Sequence, residues 1–384
     1  MKPHEFCKTH WKEYRSVWIS IFLAFIVTRL VLFCIGMIAQ SNIPAESYQT
    51  WKQQTLEVQH PYLSMWAVWD SKWYLQIANS GYRDDATVFN PNIYSSVGFF
   101  PLYSTLVFLV SWVVGDTLVA GILISNIFLV ASAFLLYLLV KGDGNESAAK
   151  RSIWYLFLFP SAYIFSAVYP ESLLLFLWLG SIFSAQKRKW VWVGVFGFFA
   201  AMTKPVGFLI IIPLLVMYLE SIEEKWKRIR PSVLSLALIP FGLIFVACLQ
   251  YLVTGDLFAY SHVQQAAWGH YLANPLRILF TRLNGPFYSF FNATTVLSFL
   301  VVILGGVKKI KPAYWFFALA LLLFIPMNGD VNGVWRYLAS VFPFVILFST
   351  WGASENFDRI FMMSMSLLQG CLFVFWVLGY WFVS

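Results

Sequence analysis

Charge is what this sequence has least of. Only 11% of its 384 residues are Asp, Glu, Lys or Arg, against about 25% in an ordinary soluble domain, and that shortage excludes a water-soluble fold of this length. Cysteine is scarce as well. Cys7, Cys34, Cys248 and Cys371 show no CxxC spacing, which excludes a zinc ribbon and a disulfide framework. Also missing are the GxGxxG and GxxxxGK[ST] phosphate loops, the HExxH zinc motif and the GxSxG nucleophile elbow. Nucleotide-driven chemistry therefore has no support, and an activated donor would have to arrive through the membrane. His262 and His270 stand eight residues apart without a neighbouring pair of carboxylate ligands, so no metal site is expected.

What the chain has instead is apolar surface: 60% of its residues are hydrophobic and 20% aromatic, with a mean hydropathy of +0.70. The runs Val17 to Ala39, Leu118 to Val140, Val233 to Val253 and Ile360 to Val383 approach or exceed the ~20 residues that cross a hydrocarbon core as helix. In lipid every backbone donor and acceptor must be paired within its own segment, and the ten-residue alternation of membrane strands is lacking. The fold class is thus all-α, a polytopic membrane protein. Lys2, Lys8, Lys12 and Arg15 precede a first apolar run that is long and has no clear cleavage site, as in a retained helix rather than a signal peptide. The formal charge of +8 is spread over helix ends, where it sets topology, and is not interleaved with aromatics as a nucleic-acid surface requires.

Basic loops stay in the cytoplasm. They are the amino terminus, Lys141 to Arg151, Lys187 to Lys189, Lys225 to Arg230 and Lys308 to Lys311. Counting Val97 to Val114 as a crossing would put Lys141, Lys150 and Arg151 outside and invert everything after them; if Gly98 to Val114 lies at the outer interface, every basic loop falls inside. The expected order is then about eleven spans: 17–39, 117–140, 152–168, 171–186, 190–203, 205–220, 231–253, 285–306, 312–327, 337–351 and 361–383. All belong to one domain, 1–384, with a cytoplasmic amino terminus, a membrane-associated first outer loop over about 40–116 and a second over about 254–284. Within the first loop, Ser71 to Ser80 reads as a short amphipathic helix with Trp73, Tyr74 and Ile77 on its apolar side.

Four charged residues are expected at the outer face. Asp70, flanked by Trp69 and Tyr74, is a costly acid unless it is used or satisfied; as an N-cap of the Ser71 helix it would accept backbone N–H bonds, and both roles stay open. Glu171 follows Pro170, where the helix dipole favours an acid. Lys204 interrupts an apolar stretch just before Pro205, and Arg336 lies between Trp335 and Tyr337. The positive-inside rule gives no reason for cations there, and each suits a phosphate, lysine as a point charge and arginine as a fork. The stretch Gly255 to His270, with Gln265 and Trp268, combines aromatic rings and amides in the way a sugar or lipid chain requires, or forms an ordinary interfacial belt.

Trp69-Asp70-Ser71-Lys72-Trp73-Tyr74-Leu75-Gln76-Ile77-Ala78-Asn79-Ser80-Gly81-Tyr82 followed by Phe99-Phe100-Pro101-Leu102-Tyr103 resembles the signature of the GPI mannosyltransferase II (PIG-V) family of the GT-C superfamily. Tyr169-Pro170-Glu171, Thr203-Lys204-Pro205-Val206-Gly207, Gly255-Asp256-Leu257-Phe258-Ala259 with Gln265 and Trp268, and Arg336-Tyr337 recur in the family's order. The resemblance implies a GT-C-like fold, a polyprenyl-phosphate sugar donor (commonly mannose), an extracytoplasmic site, Asp70 as catalytic base and no required cofactor. The chain departs from it at Lys204, where arginine is frequent, and at Pro170, where small polar residues are common.

The mechanism expected is an inverting displacement. Asp70 takes the proton of an acceptor hydroxyl on a glycan, lipid or protein, and Glu171 orients the acceptor or the neighbours of Asp70. Lys204, Arg336 and Tyr337 hold the donor phosphate, and Trp69, Tyr74, Gln265 and Trp268 bind substrate. No metal is expected, so activity should survive a chelator. The host membrane is expected to be a prokaryotic plasma membrane. The alternatives are a flippase for a lipid-linked glycan, which should show paired broken helices in repeated halves, and a non-catalytic assembly subunit with the same fold.

Overall fold

The structure, a computed structural model, describes residues 3–42, 60–82, 95–221, 231–281, 286–307, 309–331 and 333–380. Parts of the first outer loop (43–59 and 83–94), the basic loop Lys225 to Arg230, Lys308 and the last residues of the final expected span lie outside the described residues.

Among the described residues the chain is helical throughout: α1 (Pro3–Ser41), α2 (Ser71–Ser80), α3 (Pro101–Val114), α4 (Thr117–Gly142), α5 (Glu146–Leu158), α6 (Glu171–Gln186), α7 (Trp190–Thr203), α8 (Ile211–Ser221), α9 (Leu238–Thr254), α10 (Ala259–Trp268), α11 (Pro275–Thr281), α12 (Pro286–Leu300), α13 (Pro312–Met327), α14 (Val334–Ser340), α15 (Phe342–Trp351) and α16 (Glu355–Val377). Four stretches are long and apolar enough to cross a membrane: Tyr14–Ser41, Thr117–Gly142, Ser232–Thr254 and Glu355–Val377. The pair α14 and α15 makes a fifth only if its 68° bend is counted within one span. Shorter apolar helices fill in between. The 16 residues of α6 rise about 24 Å, less than the ~30 Å hydrocarbon core.

One expected span, 152–168, is not a single helix. α5 ends at Leu158, ahead of Pro160, and residues 159–170 form buried turns around a short 3₁₀ helix, Ala162–Phe165. Irregular backbone at this depth is stable only where neighbours satisfy its polar groups. Gln369 of α16 donates its Nε2 to the carbonyls of Phe157 and Phe159 at 2.8 and 2.9 Å. Arg29, a buried cation within α1 that the sequence reading passed over, donates Nη2 to the Ala162 carbonyl at 3.1 Å. These two side chains support the turn that leads into Glu171.

The bundle has two chemically distinct ends. At one, Asp143 accepts from Gln186 at 2.7 Å and pairs with Lys311 at 2.6 Å, so the loops after α4, after α6 and before α13 meet. At the other, Ser125 of α4 donates to the Tyr169 carbonyl at 3.3 Å, just before α6. The helix α3 stays with this second end. Its Tyr103 hydroxyl donates to the Gly121 carbonyl and lies 2.8 Å from Ser125 Oγ, and its far end joins α4 directly, so α3 runs alongside the first turns of α4 and never reaches the Lys141 end. That is the arrangement the charge count requires.

The helix α2 forms where expected, but its burial differs. Ser71, Tyr74, Leu75, Ile77 and Ala78 are buried, at the helical spacing of one stripe, whereas Trp73 is half-buried and turns toward a cavity.

Candidate active site

The site is assembled around two short segments held together by Tyr169. The Asp70 backbone N–H donates to the Tyr169 hydroxyl at 2.9 Å, and that hydroxyl donates to the Val68 carbonyl at 3.3 Å. Alongside, the Val168 N–H donates to the Trp66 carbonyl at 2.8 Å. Trp69, between them, has φ of 58°, a left-handed conformation that a bulky side chain adopts only where the surrounding contacts impose it. Asp70 therefore does not act as an N-cap, which corrects one of its two expected roles. Its backbone is already helical (φ −65°, ψ −14°), its side chain makes no capping bond, and its carboxylate instead receives Arg336 Nη1 at 2.6 Å.

Glu171 opens α6 directly after Pro170 and is 1% exposed. Lys204 reaches it because α7 stops at Thr203: Pro205 cannot continue the helix, Lys204 is extended, and a 3₁₀ turn Pro205–Ile210 folds back on α7. That fold-back requires Gly207, since a Cβ there would meet the Ala200 carbonyl at 1.9 Å. Lys204 Nζ donates to Glu171 Oε1 at 2.8 Å, and Arg336 Nε lies 3.7 Å from the same oxygen. Arg336 is placed by Ser161, whose hydroxyl donates to the Trp335 carbonyl at 2.6 Å. The Tyr337 ring lies against both cations, with Lys204 Nζ 5.2 Å and Arg336 Cζ 5.6 Å from its centre, an attraction of the kind a ring face offers to positive charge.

Asp70, Glu171, Lys204, Arg336 and Tyr337 thus form one network, as the sequence reading hoped, but with the charges spent on each other. Of the three expected phosphate ligands, the two cations, Lys204 and Arg336, are bonded to carboxylates. A void of about 10 Å³, the size of one water, separates Glu171 from Ser340. Glu171 does not line the main cavity; Asp70, Lys204, Arg336 and Tyr337 do.

That cavity has a volume of about 620 Å³, within the range of small-molecule sites. One wall is aromatic: Trp73 stacks on Phe99 at 5.8 Å between ring centres, and Trp268 meets both edge-on at 6.3 and 5.6 Å. Trp69 and Tyr74 also line it, as expected. Burial pushes the Tyr74 phenol well above its ordinary pKa, Glu171 and Asp70 add to that and Arg336 opposes it, so the group stays a protonated donor.

Gln265 is exposed and does not line the cavity; its neighbour Gln264 does. On α10 the two amides point to different faces, and the GDLFA…QxxW spacing alone does not say which is inward. Gln264 Nε2 donates to the Gly98 carbonyl at 2.9 Å, which leaves its Oε1 to accept from His270 Nδ1 at 2.7 Å. The imidazole is thereby fixed with its proton on Nδ1 and a lone pair on Nε2. Burial lowers the His270 pKa from 6.5 and keeps it neutral. His270 and Asp330, both lining the cavity, are site residues that the sequence reading did not assign to it.

The sequence matches the family model described as Mannosyltransferase (PIG-V) over residues 17–270, a span that includes Asp70, Glu171, Lys204, Gln264 and His270 but not the cavity residues of α13, Asp330 or α14. The chain belongs to the PIG-V mannosyltransferase family. No curated protein matches the sequence. Among solved structures it is similar to the crystal structure of the oligosaccharyltransferase of Archaeoglobus fulgidus in its apo form, with a TM-score of 0.41 and 12% identity, over 93% of this chain and 56% of that one. The chain spans little more than half the length of that enzyme.

In this PIG-V-family chain the geometry permits a specific division of labour. A carboxylate stands on the cavity with one oxygen fixed by a guanidinium, and behind it a buried acid neutralises the second cation. Aromatic faces next to it suit the apolar faces of a sugar ring or an isoprenoid chain.

Proposed function

We propose that this glycosyltransferase moves a hexose, mannose by family, from a polyprenyl-phosphate donor to an acceptor hydroxyl on the extracytoplasmic face of a prokaryotic plasma membrane, with the amino terminus in the cytoplasm. The observation that carries the reading is the Asp70 carboxylate, bonded to Arg336 at 2.6 Å on the wall of the 620 Å³ cavity. The acceptor hydroxyl gives its proton to the Asp70 carboxylate. Its oxygen forms the new bond to the anomeric carbon, the bond from that carbon to the phosphate oxygen breaks, and the electron pair leaves with the lipid phosphate. A single displacement of this kind inverts the anomeric centre. Glu171, 1% exposed, is too enclosed to touch a sugar, which supports a positioning role for it: it holds Lys204 and, through Arg336, Asp70. General-base help contributes on the order of 10²- to 10⁴-fold, and fixed charge and orientation supply the rest.

The test is transfer of radiolabelled mannose from polyprenyl-phosphate mannose to an acceptor-lipid extract by the purified protein. Labelled product with inverted linkage is expected. Donor binding without transfer, combined with movement of the lipid between leaflets in vesicles, would replace the reading with a flippase.

A further inference from the structure

We propose that Lys72 is the residue that recognises the donor's phosphate, in place of Lys204 and Arg336; this rests on the polyprenyl-phosphate donor proposed above. A phosphodiester between a sugar and an isoprenoid carries one negative charge, and drawing it into a cavity walled by rings requires an available cation. Lys204 is bonded to Glu171 at 2.8 Å and Arg336 to Asp70 at 2.6 Å, so a phosphate there would compete with a carboxylate that already neutralises its partner. Lys72 lines the same cavity and has neither an ion pair nor a side-chain hydrogen bond among the described residues; its Nζ lies 5.1 Å from the centre of the Trp73 ring.

Its position also fits the rest of the ligand. Lys72 stands two residues after Asp70 at the start of α2, so a phosphate bound by it lies near the carboxylate that would take the acceptor's proton. It also lies over the ring of Trp73, which packs against Phe99 and Trp268, an aromatic wall on which an isoprenoid chain can lie. An ammonium beside an apolar wall is the combination that distinguishes a lipid phosphate from a free phosphate, which lacks the chain, and from a polyprenol, which lacks the charge.

The experiment measures binding of polyprenyl phosphate, polyprenol and inorganic phosphate to the purified protein in detergent, for the parent, Lys72→Met and Lys72→Arg. The parent is expected to prefer polyprenyl phosphate over both other probes, with the preference over polyprenol weakening as salt is raised. Lys72→Met should weaken polyprenyl-phosphate binding about tenfold to a hundredfold, the worth of a charged hydrogen bond, and leave polyprenol binding unchanged, while Lys72→Arg should keep most of the preference. A Lys72→Met protein that retains the preference, or that loses affinity for both lipids equally, overturns the assignment of Lys72 alone. A parent that does not distinguish polyprenyl phosphate from polyprenol overturns the donor reading and this proposal with it.

Discussion

Two acid–base contacts of nearly equal length sit at the same end of this molecule in different surroundings. Lys204 meets Glu171 at 2.8 Å with side chains 13% and 1% exposed; His262 meets Asp256 at 2.6 Å with side chains 57% and 15% exposed. Distance does not separate them, but burial does. A pair taken out of water leaves an uncompensated charge if one partner is removed, whereas an exposed pair exchanges its partner for solvent. The first pair belongs to a wall fixed from behind by Tyr169 and Ser161, the second joins the first turn of α10 to the loop before it, open to its surroundings. In the proposed reading the charged wall positions the reacting groups and the α10 wall shapes the ligand's access.

The largest effect should come from breaking the buried pair. Glu171→Gln is expected to destabilise the protein by about 3–5 kcal/mol, seen in thermal unfolding in detergent, and to abolish transfer. Adding Lys204→Met should restore part of the stability and none of the activity. Next, Tyr169→Phe removes the hydroxyl to which the Asp70 N–H donates, a cost of about 1–3 kcal/mol, and should lower kcat about tenfold more than it changes the acceptor KM. On the other wall, Gln264→Ala frees the Gly98 carbonyl and the His270 ring at about 1 kcal/mol and should raise KM, whereas Gln265→Ala should stay within about 0.5 kcal/mol of the parent and leave kinetics unchanged.

A smaller effect is expected from pH. Burial lowers the His270 pKa from 6.5, with Asp330 and Asp70 opposing and Arg336 reinforcing, so the fold favours the neutral ring. The unfolded chain then binds the proton more readily, and the stability that His270 contributes is complete above pH 6.5 and is lost as pH falls through the lower folded value. The melting temperature of the parent should drop more steeply below pH 6.5 than that of His270→Gln. Smallest of all, His262→Ala should cost no more than about 1 kcal/mol and leave kcat intact; a loss comparable to that of Glu171→Gln would erase the contrast between the two pairs.

Much of this was legible in the sequence because the membrane makes it so. Scarce charges at helix ends give the topology, and the parity of basic loops keeps α3 with the α2 end of the bundle. The co-location of Asp70, Glu171, Lys204 and Arg336 follows from that same topology. Which of them pair does not, because topology places residues at one end of a bundle without fixing their distances. The choice between Gln264 and Gln265 turns on one step of helix rotation, about 100°. Arg29 hid inside an apolar run because its partner is a backbone carbonyl, exposed only when the span 152–168 breaks at Pro160.

The most direct test of the account is the single-turnover rate of sugar transfer by Asp70→Asn, measured on protein shown to unfold cooperatively and to bind donor as the parent does. The amide keeps the shape of the carboxylate but cannot take the acceptor's proton. A fall of about 10²- to 10⁴-fold with donor affinity retained is the predicted result. Transfer at the parental rate would remove Asp70 from the chemistry and contradict the account.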